Sequence, residues 1–192
     1  RVRAFVTVFE PHDGRTRLAN APDFESAAGI EVRGQTSAGF PKQPYNLEIQ
    51  DPFGNDLEAP LLGLPQESDW VLHNPYSDKC LMNNVLAFEL HEKMGHYAPR
   101  CRFVEVFVKT SRTRLSYPGD YRGVYVLMEK IKIDGNRVDL ERLGPGHNQE
   151  PEITGGYIIK KDKDSPGDLN FSTSGGSQFS RQALKIHDPK PD

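Results

Sequence analysis

Apolar and polar residues alternate at the start of the chain. Val2, Ala4, Val6 and Val8 oppose Arg3, Phe5, Thr7 and Phe9, a period of two with β-branched residues that predicts a strand. Pro11, His12, Asp13 and Gly14 supply turn chemistry that ends it. A loop through Ala21 and Pro22 follows, then strands over 29–33 and 45–50 flanking a glycine-containing stretch, 34–42. Residues 51–56 read as another turn. Residues 61–75, with scattered prolines and the single Trp70, predict a packed loop.

Over 78–94 the period lengthens to that of a helix. Leu81, Val85 and Phe88 share one stripe and Met82, Leu86 and Leu90 lie beside it, so the predicted apolar face is broad. Asp78 is placed to cap the first turn and Gly95 to sit just past the end. Val104, Val106 and Val108 then alternate over 102–109, and 121–129 forms a second apolar strand. Ser116-Tyr117-Pro118-Gly119-Asp120 between them predicts a hairpin. Asp134-Gly135-Asn136 is a further turn, 144–151 a polar loop and 155–160 the last clear strand; beyond Asp162 the chain turns to Ser, Gly, Asp and Pro. Many strands, one long helix, no repeat and no strand–helix alternation predict an α+β fold.

Composition narrows the class. A chain of 192 residues can bury a core, and its 17 glycines and 15 prolines show no collagen period. No apolar run approaches the roughly 20 residues that span a bilayer. With 24 basic and 27 acidic residues the net charge is −3, which excludes binding dominated by attraction to nucleic acid or anionic membrane. Cys80 and Cys101 make no disulfide framework; buried small hydrophobes are expected, a single pairing being the alternative. The chain opens at Arg1 within a strand pattern and without a charged-then-apolar leader, which reads as a boundary or a processed end and leaves secretion open.

Few motifs carry chemistry. His91-Glu92-Lys93-Met94-Gly95-His96 approaches a zinc-protease pattern, but its second histidine is at i+5, about 140° around a helix from the first instead of about 40°. No nucleophile elbow or Walker A sequence is present, no residue is assigned to a metal, and Asn170-Phe171-Ser172 is a bare glycosylation triplet. The stretch 34–42 is different. Gly34, Gly39, Thr36 and Ser37 make a loop whose amides and hydroxyls can wrap phosphate oxygens, with Lys42 adding a cation; a plain hairpin with a solvated lysine is the alternative. Glu129 closes an apolar strand, either leaving the core or marking a connector whose backbone reads an adenine edge. Glu89 lies four before Lys93, as a surface ion pair or as a helix glutamate that orients Lys42.

The order of these blocks resembles the spore-coat protein H (CotH) kinase-like family. Arg33-Gly34-x-x-Ser37 leads to Phe40-Pro41-Lys42-Gln43-Pro44-Tyr45, then Leu62-Gly63-Leu64-Pro65, Asp69-Trp70-Val71-Leu72 and Tyr76-Ser77-Asp78-Lys79. The helix Asn84-Val85-Leu86-Ala87-Phe88-Glu89-Leu90 follows, with Met94-Gly95 and Ala98-Pro99 after it. Tyr121-Arg122-Gly123-Val124-Tyr125, Met128-Glu129-Lys130-Ile131 and Gly155-Gly156-Tyr157-Ile158-Ile159-Lys160 with Asp162 close a series from about residue 31 to 162.

The resemblance implies an atypical protein-kinase-like fold that binds ATP with Mg²⁺ or Mn²⁺ and phosphorylates Ser or Thr of a protein substrate. On it, 1–130 corresponds to a small lobe and connector, with a mainly antiparallel sheet and one long helix, and 131–192 to the start of a second lobe. Lys42, with Ser37 and Gly34, is the implied nucleotide contact, and Glu89 and Glu129 are positional candidates. Two departures stand out. Asn83 occupies a position where the family often has arginine, a planar charged fork that asparagine does not replace. No Trp-Asp-Phe-Asp-like stretch follows Asp162, and the acids Asp164, Asp168, Asp188 and Asp192 sit in no matching context. These 192 residues are therefore expected not to turn over ATP alone. The competing readings are a non-catalytic module of a coat or cell surface and an extracellular β-rich ligand-binding domain. An exposed lobe face makes homodimerisation an expectation, and an extracellular, surface or coat location is favoured.

Overall fold

A computed structural model of the protein describes residues 1–163, 167–171 and 184–190. The chain divides into two compact units, Arg1–Lys130 and Ile131–Asp192.

The first unit is a six-stranded antiparallel sheet with one α-helix. In chain order its strands are β1 (Val2–Val8), β2 (Phe24–Val32), β3 (Tyr45–Gln50), β4 (Asp69–His73), β5 (Cys101–Phe107) and β6 (Tyr121–Glu129). They lie in the order β1-β2-β3-β4-β6-β5, so β4 and β6 are central and β1 and β5 are edges. One face carries the main core: Ala28, Leu47, Ile49, Trp70, Leu72, Tyr125 and Leu127, closed by Ala59, Leu61 and Leu64 from the β3–β4 connection. The other face is narrower. Val71, Val126 and Met128 pack there against Val85 and Phe88 of α1 (Asn83–Lys93) and against Cys101.

Burial on both faces explains why β4 eluded the sequence pattern. Trp70, Val71 and Leu72 are all buried, so the strand has no alternation and sits among prolines that predict a loop. Similarly, β2 begins at Phe24, well before residue 29, because Ser26, Ala27 and Ala28 carry no β-branched signal.

The helix is shorter than its pattern, and only one side of its apolar face is used. Residues 78–82 form a turn in which Leu81 has φ +63°, and the helix starts at Asn83. Asp78 still caps it from outside: its carboxylate accepts the N–H groups of Cys80 at 3.0 Å and Asn83 at 2.9 Å. At the far end Gly95, at φ +85°, donates to the Glu92 carbonyl and His96 to that of His91, a Schellman closure. Met82, Leu86 and Leu90 remain half-exposed, so the broad apolar face is a correction to the sequence reading. The two cysteines are unpaired, as the favoured reading has it, but Cys80 is exposed and Cys101 only half-buried, so their burial is a second correction.

The second unit contains a three-stranded antiparallel sheet, β7 (Ile158–Lys161), β8 (Leu169–Phe171) and β9 (Leu184–Asp188), in the order β7-β9-β8. Lys185 of β9 is fully buried, its ammonium donating to Asp168 at 2.7 Å and to the Lys163 carbonyl. Asp168 also faces Lys160 at 3.5 Å, and Asp188 ends β9. Asp164, Asp192 and the Ser172 of the glycosylation triplet lie outside the described residues. Among the described residues no helix is long and apolar enough to cross a membrane.

Candidate functional site

The connection between β2 and β3 is a closed loop. The Arg33 N–H donates to the Pro44 carbonyl at 3.0 Å across its neck, and a 3₁₀ turn, Ser37–Gly39, forms its tip. Gly34 stands at φ +82°, where a Cβ would collide with the Ser37 hydroxyl oxygen. Gly34 and Ser37 are thus brought together, and only glycine fits the first position. The Gln43 side chain donates to the Ala38 carbonyl at 3.0 Å, and Phe40 packs 5.1 Å from the Tyr76 ring.

Lys42 leaves this loop and is pinned at both ends. Its carbonyl accepts a hydrogen bond from the Asn74 amide, and its ammonium donates to the Val124 carbonyl. The ammonium also lies 4.6 Å from the centre of the Tyr125 ring, close enough for a cation–π attraction. Tyr125 in turn donates its hydroxyl to the Gln43 carbonyl at 2.9 Å. Gly123 leaves the space beside the cation open: a Cβ there would be 3.6 Å from it. Burial lowers the Lys42 pKa below the usual lysine value. No carboxylate pairs with this ammonium among the described residues. An ammonium has three donors, so Lys42 retains N–H groups for an anionic ligand.

The positive field extends to His73 at the end of β4. Burial and then Arg33 hold its pKa down, Lys42 adding to the effect and Asp78 opposing it, while the Asn84 amide lies 3.3 Å from its Nε2. Arg33, His73, Asn74 and Tyr125 are the members of this surround that sequence reasoning missed. Arg33 and Tyr125 stand in blocks of the resemblance without a site role assigned to them, and His73 and Asn74 follow an apolar run with no motif to mark them.

Glu89 and Glu129 are not part of it. Glu89 is exposed on α1, which covers the Val71–Val126–Met128 face, whereas Lys42 lies over Tyr125 of the opposite core; the two make no ion pair. Its field is felt instead by Cys101, whose thiol pKa is pushed up by burial, with Glu89, Glu129 and Glu92 contributing. Glu129 is fully buried and holds Arg100, with Oε1 2.7 Å from the guanidinium Nε. Its own N–H donates to the Arg100 carbonyl at 3.2 Å, so that donor is committed to the sheet and is not presented to a ligand. His91 and His96 stack with ring centres 4.9 Å apart at the helix end. Among the described residues no three His, Cys, Asp or Glu side chains cluster as a metal site would require.

What the structure gathers here is one partly desolvated cation beside a glycine-bearing loop, a combination whose chemistry suits an anion. Comparison with known proteins gives one family: the model described as CotH kinase protein matches residues 30–190, which include the whole loop. No curated protein matches the chain.

Proposed function

The chain belongs to the CotH kinase protein family, and from that premise we propose that it contributes the nucleotide-phosphate contact of a kinase-like protein that transfers phosphate from ATP to a Ser or Thr hydroxyl of a polypeptide. The observation that carries this reading is Lys42: a half-buried ammonium, fixed over Tyr125 and beside a glycine-bearing loop, with no carboxylate among the described residues to neutralise it. A cation in that state gains more from a phosphate oxygen than a solvated lysine does, because it has already lost part of its hydration.

Each of this chain's residues has a definable part in that reading. Lys42 binds and orients a phosphate oxygen. Gly34 and Ser37 shape the loop that brings backbone N–H groups toward the same anion, and Asn74 and Tyr125 hold the backbone at the Lys42 and Gln43 carbonyls. Arg33 adds positive potential at the loop's neck. Mg²⁺ or Mn²⁺ accompanying ATP would neutralise phosphate charge; the described residues form no three-ligand cluster, so none is assigned to the ion.

Calorimetric titration of the chain with ATP and Mg²⁺, beside Lys42→Met, tests the proposal. Binding that weakens at least about tenfold in the variant supports it. Absence of binding by the unaltered chain, or equal affinity in both, overturns it.

A further inference from the structure

The β5–β6 hairpin carries a concentration of positive charge that the phosphate site does not use. Residues 109–122 contain Lys109, Arg112, Arg114 and Arg122 against a single acid, Asp120, in a chain whose overall charge is −3. Asp120 is already occupied. It accepts hydrogen bonds from the Lys109 ammonium at 2.8 Å, the Ser116 N–H at 2.8 Å and the Ser116 hydroxyl at 3.0 Å, and the lysine bond leads the effects that hold its pKa below the usual aspartate value. The nearest acid on β5, Glu105, accepts the Tyr121 hydroxyl at 2.8 Å. Among the described residues Arg112 and Arg114 are exposed and make no ion pair, and the guanidinium of Arg122 donates to the Gly119 carbonyl at 3.1 Å and pairs with no carboxylate.

The hairpin tip is also built to be held in shape. Val108 and Asp120 close it through a backbone bond of 2.9 Å, and Asp120 donates back to Ser116 at 3.0 Å. Tyr121 bridges Phe107 and Tyr117, with ring centres 5.1 and 5.4 Å apart. Tyr117 is 75% exposed and Leu115 is 43% exposed, so apolar contact area stands among the guanidinium groups. Exposed Tyr beside unpaired Arg is the composition that protein interfaces favour. The tip also runs into the phosphate site, because Arg122 directly precedes Gly123, the residue that opens the space beside the Lys42 ammonium.

We infer that this hairpin tip docks an acidic polypeptide segment, with Arg112, Arg114 and Arg122 meeting its carboxylates and Tyr117 and Leu115 packing on its backbone and apolar groups. An acidic protein fits better than nucleic acid because the arginines form a local patch on an acidic chain and not the extended basic surface that a polyanion follows. Calling that polypeptide a substrate rests on the proposed phosphoryl transfer; the docking itself does not.

The test is fluorescence anisotropy of a labelled peptide of alternating glutamate and serine, titrated with the full chain, with R112Q/R114Q and with Lys42→Met. Binding that weakens as salt rises and falls about tenfold in R112Q/R114Q, with the Lys42→Met chain unaffected, supports the inference. Both arginines are exposed and unpaired, so their replacement leaves the fold intact, and R112Q/R114Q should bind ATP as the unaltered chain does. Unchanged peptide affinity in R112Q/R114Q overturns the inference. So does loss confined to Lys42→Met, equal binding of a glutamine–serine peptide, or tighter binding of a single-stranded oligonucleotide. If ATP fails to bind while the peptide still depends on the arginines, docking stands and the kinase-like reading falls.

Discussion

Arg100 and Glu129 hold each other through both backbone and side chain. The Arg100 N–H and Nε donate to the two carboxylate oxygens at 3.1 and 2.7 Å, and the Glu129 N–H returns a bond to the Arg100 carbonyl at 3.2 Å. The carboxylate is fully buried, whereas the arginine side chain is 37% exposed. The pair ties the end of the central strand β6 to the segment that enters β5, which is a structural task and accounts for a buried glutamate after four apolar residues. Glu129→Ala removes both carboxylate contacts at once, while the backbone bond to the Arg100 carbonyl remains; because the arginine is part-exposed and can turn to water, the expected loss of stability is about 2 kcal/mol, below that of a fully buried pair. Glu129→Gln, which keeps one acceptor oxygen, should lose less. Urea unfolding measures both, and a loss below about 1 kcal/mol for alanine would mean that the pair behaves as a surface ion pair.

Gly34 and Ser37 give a second, separable test of the loop. At φ +82° any side chain costs roughly 1–2 kcal/mol for the left-handed backbone alone. The Ser37 hydroxyl then collides with the new methyl. Gly34→Ala should therefore cost more than the backbone term, and Ser37→Ala in the same background should recover the excess. Thermal melts of the two single variants and the double variant form a cycle. Strictly additive effects would show that the hydroxyl is not what the methyl meets.

Much of this was legible before the structure. The β1 alternation, the β5–β6 hairpin, the capping by Asp78 and the closure at Gly95 each follow a local rule, and a local rule is what a sequence displays. The loop 34–42 and Lys42 were visible for the same reason. What stayed hidden depends on partners distant along the chain. Strand β4 has no alternation because both of its faces are buried, and nothing near Met82, Leu86 and Leu90 announces that they stay exposed among the described residues. The Glu89–Lys42 pairing was drawn from analogy with the helix glutamate of kinases, but the sheet stands between the two. Tyr125 reaches the site from 82 positions away through its bond to Gln43, a relation no spacing reveals.

The two sides of α1 should respond differently to substitution. Phe88 packs on Val71, Val126 and Met128, so Phe88→Ala opens a gap in that small core and should cost about 3 kcal/mol. Leu86 is 51% exposed, and Leu86→Gln should change stability by no more than about 0.5 kcal/mol. Denaturant midpoints with unchanged slopes decide it. A large loss at Leu86 would show that the outer stripe is covered in solution.

Tyr125 makes a pH-dependent contribution whose sign is fixed by its burial. Desolvation, with Tyr45 adding to it and Arg122 opposing, pushes the phenol pKa up to about 12 from its ordinary value of 10.0. Below pH 10 the phenol is protonated in the folded and unfolded chains alike, and its stabilising hydrogen bond to Gln43 is fully present. Between about pH 10 and 12 the unfolded chain gives up the proton while the folded chain retains it, so the unfolded state binds fewer protons and stability falls as pH rises. Lys42, whose pKa burial lowers from 10.5, acts in the other direction: its folded form loses its proton first, and stability rises until the unfolded lysine has titrated too. Tyr125→Phe separates the two. The stability difference between the unaltered chain and Tyr125→Phe should be constant below pH 10, at about 1 kcal/mol in favour of the unaltered chain for the hydrogen bond, and should fall by roughly 2 kcal/mol between pH 10 and 12, so that it changes sign and Tyr125→Phe becomes the more stable. Urea unfolding at a series of alkaline pH values measures it, and a difference that stays constant through that window would mean that the phenol reaches solvent and titrates as a free tyrosine.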